Sequence, residues 1–199
     1  MRYLTLFLAF FLISLIAGAQ DTLLLINGKE LIADSIRTEG YSVSVFSTGK
    51  RPEKPRSIDG YRVFSIRHAD GKEEVLYQKD PYDPTDFEVE EMRMFIKGEQ
   101  DASRYYHDKL STGMSVAIGA GASALSVYGL VFPPLYSTIL GSFTPDMNEM
   151  RVSDETLRLN ESYCEGYQSK VRKKKINNSL IGGLAGFAAG FITLILVSN

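Results

Sequence analysis

Residues 170–199 read KVRKKKINNSLIGGLAGFAAGFITLILVSN, and this stretch decides the fold. Five cations lie within its first six positions: Lys170, Arg172, Lys173, Lys174 and Lys175. Residues 179–197 carry no charge, and as a helix at ~1.5 Å per residue they would extend about 28 Å, close to the ~30 Å hydrocarbon core of a bilayer. We predict a transmembrane helix at 179–197. The five cations, here called the collar, are interpreted as a topology determinant that also contacts lipid headgroups.

Small residues recur every fourth position in this helix and in an earlier uncharged block, residues 110–145. The two stripes are Gly182, Gly186 and Gly190, and Gly113, Ala117 and Gly121. Residues 112–132 are long enough for a second transmembrane helix, which Pro133 and Pro134 should end, and the alternative is a buried hairpin in a soluble fold. We predict both stripes, in a glycine-zipper pattern, to be helix-packing faces, because small residues let two backbones approach closely. A hairpin of two spans within one chain is favoured, with a homo-oligomer as the alternative.

The first nineteen residues have the organisation of a signal peptide. Arg2 gives a positive start, residues 3–16 are apolar, and Ala17-Gly18-Ala19 supplies the small residues of a cleavage site before Gln20. An uncleaved signal anchor is the competing interpretation. In both cases the residues that follow are expected outside the cytoplasm.

Residues 20–80 have the pattern of short strands joined by tight turns. Asn27-Gly28 and Asp70-Gly71 are turn signals, and residues 41–46 alternate with the period of two that a strand requires. We predict an α+β chain. Its exported β domain would be a small antiparallel barrel or curled sheet of about five strands.

Four segments of this region are Asp21-Thr22, Asn27-Gly28-Lys29-Glu30, Val63-Phe64-Ser65-Ile66 and Asp70-Gly71-Lys72-Glu73. Together they resemble a recurrent module of uncharacterised bacterial envelope proteins. In those proteins a secreted Sm- or SH3-like β-barrel begins just after the signal peptide, and a membrane anchor completes the chain. The resemblance implies a fold and a compartment, and it implies no catalytic or binding residue.

Residues 81–111 are predicted to form a helical linker. Thr85, with Glu88 three residues later, matches a capping box that starts a helix, and Gly98 is expected to interrupt that helix. Residues 133–178 are predicted to be a cytoplasmic loop with its own helix, for which Asn160 is the candidate N-cap.

The predicted segments agree on one topology. If residues 20–110 are exported, the span 112–132 leads into the cytoplasm and the span 179–197 leads out again. The collar then lies in the cytoplasm, as the positive-inside rule expects. Helical spans in an envelope with two membranes indicate the inner membrane, because outer-membrane spans are closed barrels. We therefore predict a bacterial inner-membrane protein with a periplasmic N-terminal domain.

The sequence contains little that indicates chemistry. Cys164 is the only cysteine, which excludes an intrachain disulfide, and the two histidines, His68 and His107, are far apart. No nucleophile–base set, phosphate-binding glycine loop or metal-ligand spacing is visible. The net charge of −2 argues against general nucleic-acid binding. We predict no catalytic residue, cofactor or metal site.

The favoured function is that of a non-enzymatic, membrane-anchored envelope protein. Its exported β module would interact with another envelope component, either a protein or a polymer, and its helices would contact membrane lipids. The alternative is a small oligomeric pore or permeability factor built from the glycine-striped helices.

Overall fold

The computed structural model describes residues 20–46, 55–143, 145–146, 148 and 150–198. The chain divides into two compact units, the first ending at Asp86 and the second beginning at Phe87. Strands make up the first unit and helices the second, so the predicted α+β class is confirmed. The predicted signal peptide, residues 1–19, lies outside the described residues.

Seven strands are described in the first unit. They are β1 (Asp21–Leu25), β2 (Glu30–Ala33), β3 (Ser35–Glu39), β4 (Ser42–Phe46), β5 (Arg56–Asp59), β6 (Val63–Arg67) and β7 (Glu73–Val75). One antiparallel sheet has the order β2-β1-β6-β7 and a second has the order β3-β4-β5. The two sheets do not close, so the barrel detail of the prediction is not confirmed.

Local sequence explains where the strands turn. Gly28 (φ 72°) lies between β1 and β2, and Gly71 (φ 87°) lies between β6 and β7, where the turn signals placed them. Seven strands are described where about five were predicted, partly because the chain bends at Asp34 between β2 and β3. The chain passes there from one sheet to the other, and the Asp34 N–H donates to the Phe46 carbonyl (2.9 Å).

One hydrophobic core serves both sheets. Its buried members are Leu23, Leu25, Ala33, Val43, Val45, Ile58, Val63 and Ile66. Burial of these aliphatic side chains is the main favourable term for a unit of this size.

The second unit contains four α-helices among its described residues. They are α1 (Val89–Tyr105), α2 (Lys109–Ala122), α3 (Phe132–Ser142) and α4 (Glu161–Ser198). A 3-10 segment, Ser123–Val131, joins α2 to α3, and another, Glu155–Leu159, precedes α4. Asn160 caps α4 as predicted, since its side-chain oxygen accepts from the Tyr163 N–H (2.9 Å).

Helix α1 differs from the predicted linker in two ways. Its capping box consists of Glu88 and Glu91, whereas the hydroxyl of Thr85 donates to Asp83 (2.6 Å). The helix is also continuous through Gly98 and packs along α4. Residues 89–105 are therefore part of the helical unit rather than a connector.

The apolar block 110–145 is not the single straight helix that was predicted at 112–132. Helix α2 ends at Ala122, and Ser126 has a left-handed φ of 57° within the segment that follows. Pro133 and Pro134 lie in the first turn of α3, so they begin a helix instead of ending one. Proline is tolerated there because its missing N–H would have no intrahelical partner in that turn.

The two arms of this block run in opposite directions along α4. Gly182 lies against Thr112 and Gly190 against Ala120, so α2 runs parallel to α4. Gly183 lies against Pro133 and Gly141 against Ile176, so α3 returns antiparallel. We call residues 109–142 the hairpin; both of its ends lie near the collar.

Two segments of the described chain are long and apolar enough to cross a membrane by length and composition. They are Lys109–Ser142 and Glu161–Val197, which favours a membrane protein. The first of them is the hairpin.

Candidate functional site

The glycine stripe of α4 forms the contact with α2. A Cβ added at Gly186 would overlap the backbone carbonyl of Val116, and one added at Gly119 would overlap that of Gly183. Gly182 and Gly190 lie on the same contact. The structure thus places all three predicted glycines of α4 where a second helix approaches most closely.

The predicted stripe of α2 does not make this contact. Cβ atoms at Gly113 and Gly121 would have nothing within 4 Å, and Ala117 is exposed. The face of α2 that is buried contains Ser115, Gly119, Ala122 and the adjoining Ser123. The predicted stripe of Gly113, Ala117 and Gly121 is therefore wrong as an intrachain packing face. The spacing of small residues shows that a smooth stripe exists on a helix, but it does not show which way that stripe faces.

Three cations of the collar bind groups of their own chain. The Lys173 ammonium pairs with the Glu99 carboxylate (2.9 Å), and Lys175 donates to the Phe143 carbonyl (2.6 Å). Lys174 donates to three carbonyls near the end of α1: Ala102 (3.1 Å), Ser103 (2.8 Å) and Tyr106 (3.0 Å). The last carbonyls of a helix lack intrahelical donors and carry partial negative charge, so a lysine there stabilises the helix end.

Burial and the neighbouring charge of Lys170 lower the pKa of Lys174. Its ammonium is held in place by the three backbone carbonyls to which it donates. These contacts fix α1 and the end of α3 to α4 at the level of the collar. The proposed topology and lipid roles of Lys170, Arg172, Lys173, Lys174 and Lys175 remain predictions.

A buried carboxylate, Asp101, connects three parts of the helical unit. It accepts hydrogen bonds from the backbone N–H (3.1 Å) and hydroxyl (2.5 Å) of Ser153 and from the Tyr163 hydroxyl (2.8 Å). Lys97 lies 3.3 Å from its other oxygen. Burial disfavours the charged form, but the hydrogen bonds from Ser153 and Tyr163 outweigh it, so the pKa of Asp101 lies below its ordinary value of 3.8.

Glu99, two residues before Asp101 on α1, is fully buried. One of its oxygens pairs with Lys173, and the other has no hydrogen-bond partner in the described part of the chain. Around these carboxylates α1 and α4 approach closely. A Cβ atom added at Gly98 or at Gly166 would overlap backbone atoms of the facing helix. The sequence prediction missed this polar junction.

A cavity of about 390 Å³ lies where α2 begins beside α4. Its lining includes His107, Asp108, Lys109, Gly113 and Asn178. Asp108 caps α2 by accepting from the Ser111 N–H (2.9 Å), and its second oxygen accepts from the Tyr106 hydroxyl (3.0 Å). Burial opposes ionisation of this carboxyl, but these hydrogen bonds outweigh that effect and lower its pKa.

The β unit has an exposed aromatic surface. The rings of Tyr41 and Tyr61 stack with centroids 6.1 Å apart and an interplanar angle of 11°. Glu39 and Asp59 lie beside them in a shallow depression. Exposed tyrosines are typical of contact surfaces, because tyrosine contributes large area at low entropic cost.

The described residues contain no group of three His, Cys, Asp or Glu side chains placed to hold a metal ion. Cys164 is buried, and burial raises the pKa of its thiol. On the β unit His68 lies between Asp21 (3.8 Å) and Glu74 (3.4 Å).

Comparison of the chain with protein-family models, with curated proteins and with solved structures finds no match. The resemblance to envelope proteins with a secreted β module therefore stays a prediction. The functional argument depends on the geometry of the chain itself.

Proposed function

We propose that this protein is a non-enzymatic, membrane-anchored envelope protein whose β unit is exported and binds another envelope component. The membrane anchor is inferred from the direction of the two hairpin arms along α4. Both ends of the hairpin lie near residues 174–176 of α4, so the hairpin enters and leaves on one side of the bilayer. Helix α4 is then the only described segment that crosses.

Arm length supports a re-entrant hairpin. Helix α2 has 14 residues and α3 has 11, so at ~1.5 Å per residue they are about 21 Å and 16 Å long. A bilayer core is ~30 Å thick. Each arm is shorter than this, and the segment that contains Ser126 reverses the chain between them.

This arrangement changes the topology that we expected from the sequence. With one crossing helix, residues 20–108 and the collar lie on the same side, and the C-terminus lies on the other. Export of the β unit then places the collar outside the cytoplasm, against the positive-inside rule. Outside the cytoplasm these cations would have a structural role, because Lys173, Lys174 and Lys175 each bind a group of their own chain.

The glycine contacts favour this anchor over the oligomeric pore. Gly182, Gly186 and Gly190 are occupied by contacts with α2 of the same chain. A pore would have to use the exposed α2 stripe instead. On the β unit, the exposed Tyr41–Tyr61 pair is the surface that we assign to the partner, since aromatic residues dominate binding energy at interfaces.

The test is cysteine labelling in a Cys164→Ser background. Single cysteines at Tyr82, Asn148 and a C-terminal extension are treated with a membrane-impermeant maleimide on intact spheroplasts. The re-entrant anchor predicts that Tyr82→Cys and Asn148→Cys label equally and that the C-terminal cysteine labels only after lysis. Labelling of Tyr82→Cys and Asn148→Cys from opposite sides would establish two spans and refute the re-entrant anchor.

A further inference from the structure

We propose that the cavity at the start of α2 binds the phosphodiester of a membrane phospholipid. The inference rests on the proposed insertion of α4 and the hairpin into a bilayer. It assigns a lipid-headgroup site mainly to residues outside the collar, whereas the sequence indicated headgroup contacts only for the collar.

The first argument is the position of the cavity. Lys109 is the last charged residue before the uncharged block 110–145, and Lys175 is the last before the C-terminus. The cavity lies between the two chain segments at this boundary. In a bilayer the change from charged to uncharged residues occurs at the headgroup level, where lipid phosphates are found.

The second argument is that polar side chains around the cavity lack partners. His107, Lys109 and Asn178 are exposed, and none of them has a hydrogen bond or ion pair within the described residues. Lys174, which also lines the cavity, is fully engaged with carbonyls. The free groups therefore comprise one ammonium, one imidazole and one amide.

These groups match a phosphodiester. Such a group carries one negative charge and two acceptor oxygens, which suit one lysine and two further N–H donors. The charge of the Asp108 carboxylate opposes an anion in the cavity, but its oxygens are directed to Ser111 and Tyr106, and the ammonium of Lys174 lines the same cavity.

The third argument is the space available to acyl chains. Gly113 lines the cavity, and its outward side is open. Ala117 and Gly121 continue the smooth exposed stripe along α2 towards the tip of the hairpin. An acyl chain can lie along this stripe while its headgroup occupies the cavity.

The test uses the full chain purified in a neutral detergent, and the probe is phosphatidylglycerol. We expect it to raise the thermal midpoint, whereas diacylglycerol with the same chains does not, because it lacks the phosphate. Soluble glycerol 3-phosphate should also have no effect. An equal rise with glycerol 3-phosphate would show a site for soluble phosphate and would refute the lipid assignment.

Two matched pairs of variants locate the site. Lys109→Gln should weaken the apparent affinity for phosphatidylglycerol about fivefold, and Arg172→Gln, which removes the same charge from the collar, should not. Gly113→Leu should block binding, whereas Thr138→Leu, at an exposed position on α3, should leave it unchanged. The atoms added at Gly113 meet open space and Thr138 is exposed, so neither change should disturb the fold.

Equal losses of affinity for phosphatidylglycerol in Lys109→Gln and Arg172→Gln would show diffuse attraction to the collar and would refute binding in the cavity. Unchanged binding in Gly113→Leu would refute it as well. Alkaline extraction of native membranes is a separate measurement. Release of the wild-type chain would contradict the proposed anchor, and retention with no phosphatidylglycerol effect would contradict the cavity alone.

Discussion

Helix α4 makes two junctions that resemble each other at their closest points and differ in what surrounds them. In the upper junction, residues 161–175 pack on α1, with Gly98 and Gly166 at the closest approach. In the lower junction, residues 176–190 pack on the hairpin, with Gly119, Gly183 and Gly186 at the closest approach. Glycine allows backbone contact in both.

The residues around the closest approach differ between the two junctions. The upper junction buries Glu99 and Asp101 and orders them with Lys173, Ser153 and Tyr163. Apart from Lys109 at the start of the hairpin, the lower junction contains no charged residue. Where water is present, buried polar partners fix helix orientation. In lipid the hydrophobic effect between helices is lost, so close van der Waals packing has to replace it.

The largest effect is expected from overpacking the lower junction. In Gly186→Leu the new Cβ would overlap the Val116 carbonyl, and backbone cannot move aside as a flexible side chain can. We expect a loss of about 3 kcal/mol or more in unfolding free energy, measured in detergent. The matched variant Gly121→Leu adds the same side chain to open space and should change stability by less than ~0.5 kcal/mol. Equal losses would contradict the assigned packing face.

The next effect tests the upper junction. Asp101→Ala removes four hydrogen bonds, two from Ser153, one from Tyr163 and one from Lys97, and leaves the buried hydroxyl of Tyr163 without its acceptor. We expect a loss of about 2–4 kcal/mol in thermal or denaturant unfolding. The control is Asp154→Ala, because that carboxylate caps a short 3-10 segment at the surface. A loss in Asp101→Ala no larger than in the control would show that the junction does not depend on this carboxylate.

The pH dependence of stability should further distinguish the upper junction from the lower one. The folded-state pKa of Asp101 lies below its ordinary value of 3.8, so its stabilising contribution is complete above that value. The contribution is lost as the pH falls below 3.8 through the folded pKa. The thermal midpoints of wild type and Asp101→Asn should therefore converge in that acidic range. A constant difference from neutral to acidic pH would refute the charged role of Asp101.

The smallest of these effects concerns the collar. Lys174→Met removes the donor to three carbonyls at the end of α1 and keeps most of the side-chain volume. We expect a loss of about 1–2 kcal/mol, because the ammonium is partly exposed. Arg172→Met should cost less, since this residue is exposed. The reverse order would indicate that the collar acts through its charge rather than through these contacts.

Particular residues show how far the sequence predicted the structure. Asn27-Gly28 and Asp70-Gly71 predicted turns correctly, since positive φ is a local property of glycine. The α4 stripe was predicted because glycines four apart always share a helix face. The reversal after Ala122 was missed, because Pro133 can either end one helix or begin the next and local sequence does not distinguish these outcomes.

The sequence by itself determined the local properties of this protein: where strands turn, where charge ends, and which stripe of α4 permits close approach. Each of these depends on residues within a few positions of one another. Only the tertiary structure decided that the hairpin returns to the collar, that Lys174 binds the end of α1, and that Asp101 meets Ser153 and Tyr163. These outcomes depend on contacts between residues some 30 to 70 positions apart, from 32 positions between Phe143 and Lys175 to 71 between Ser103 and Lys174, and no local pattern encodes such partners.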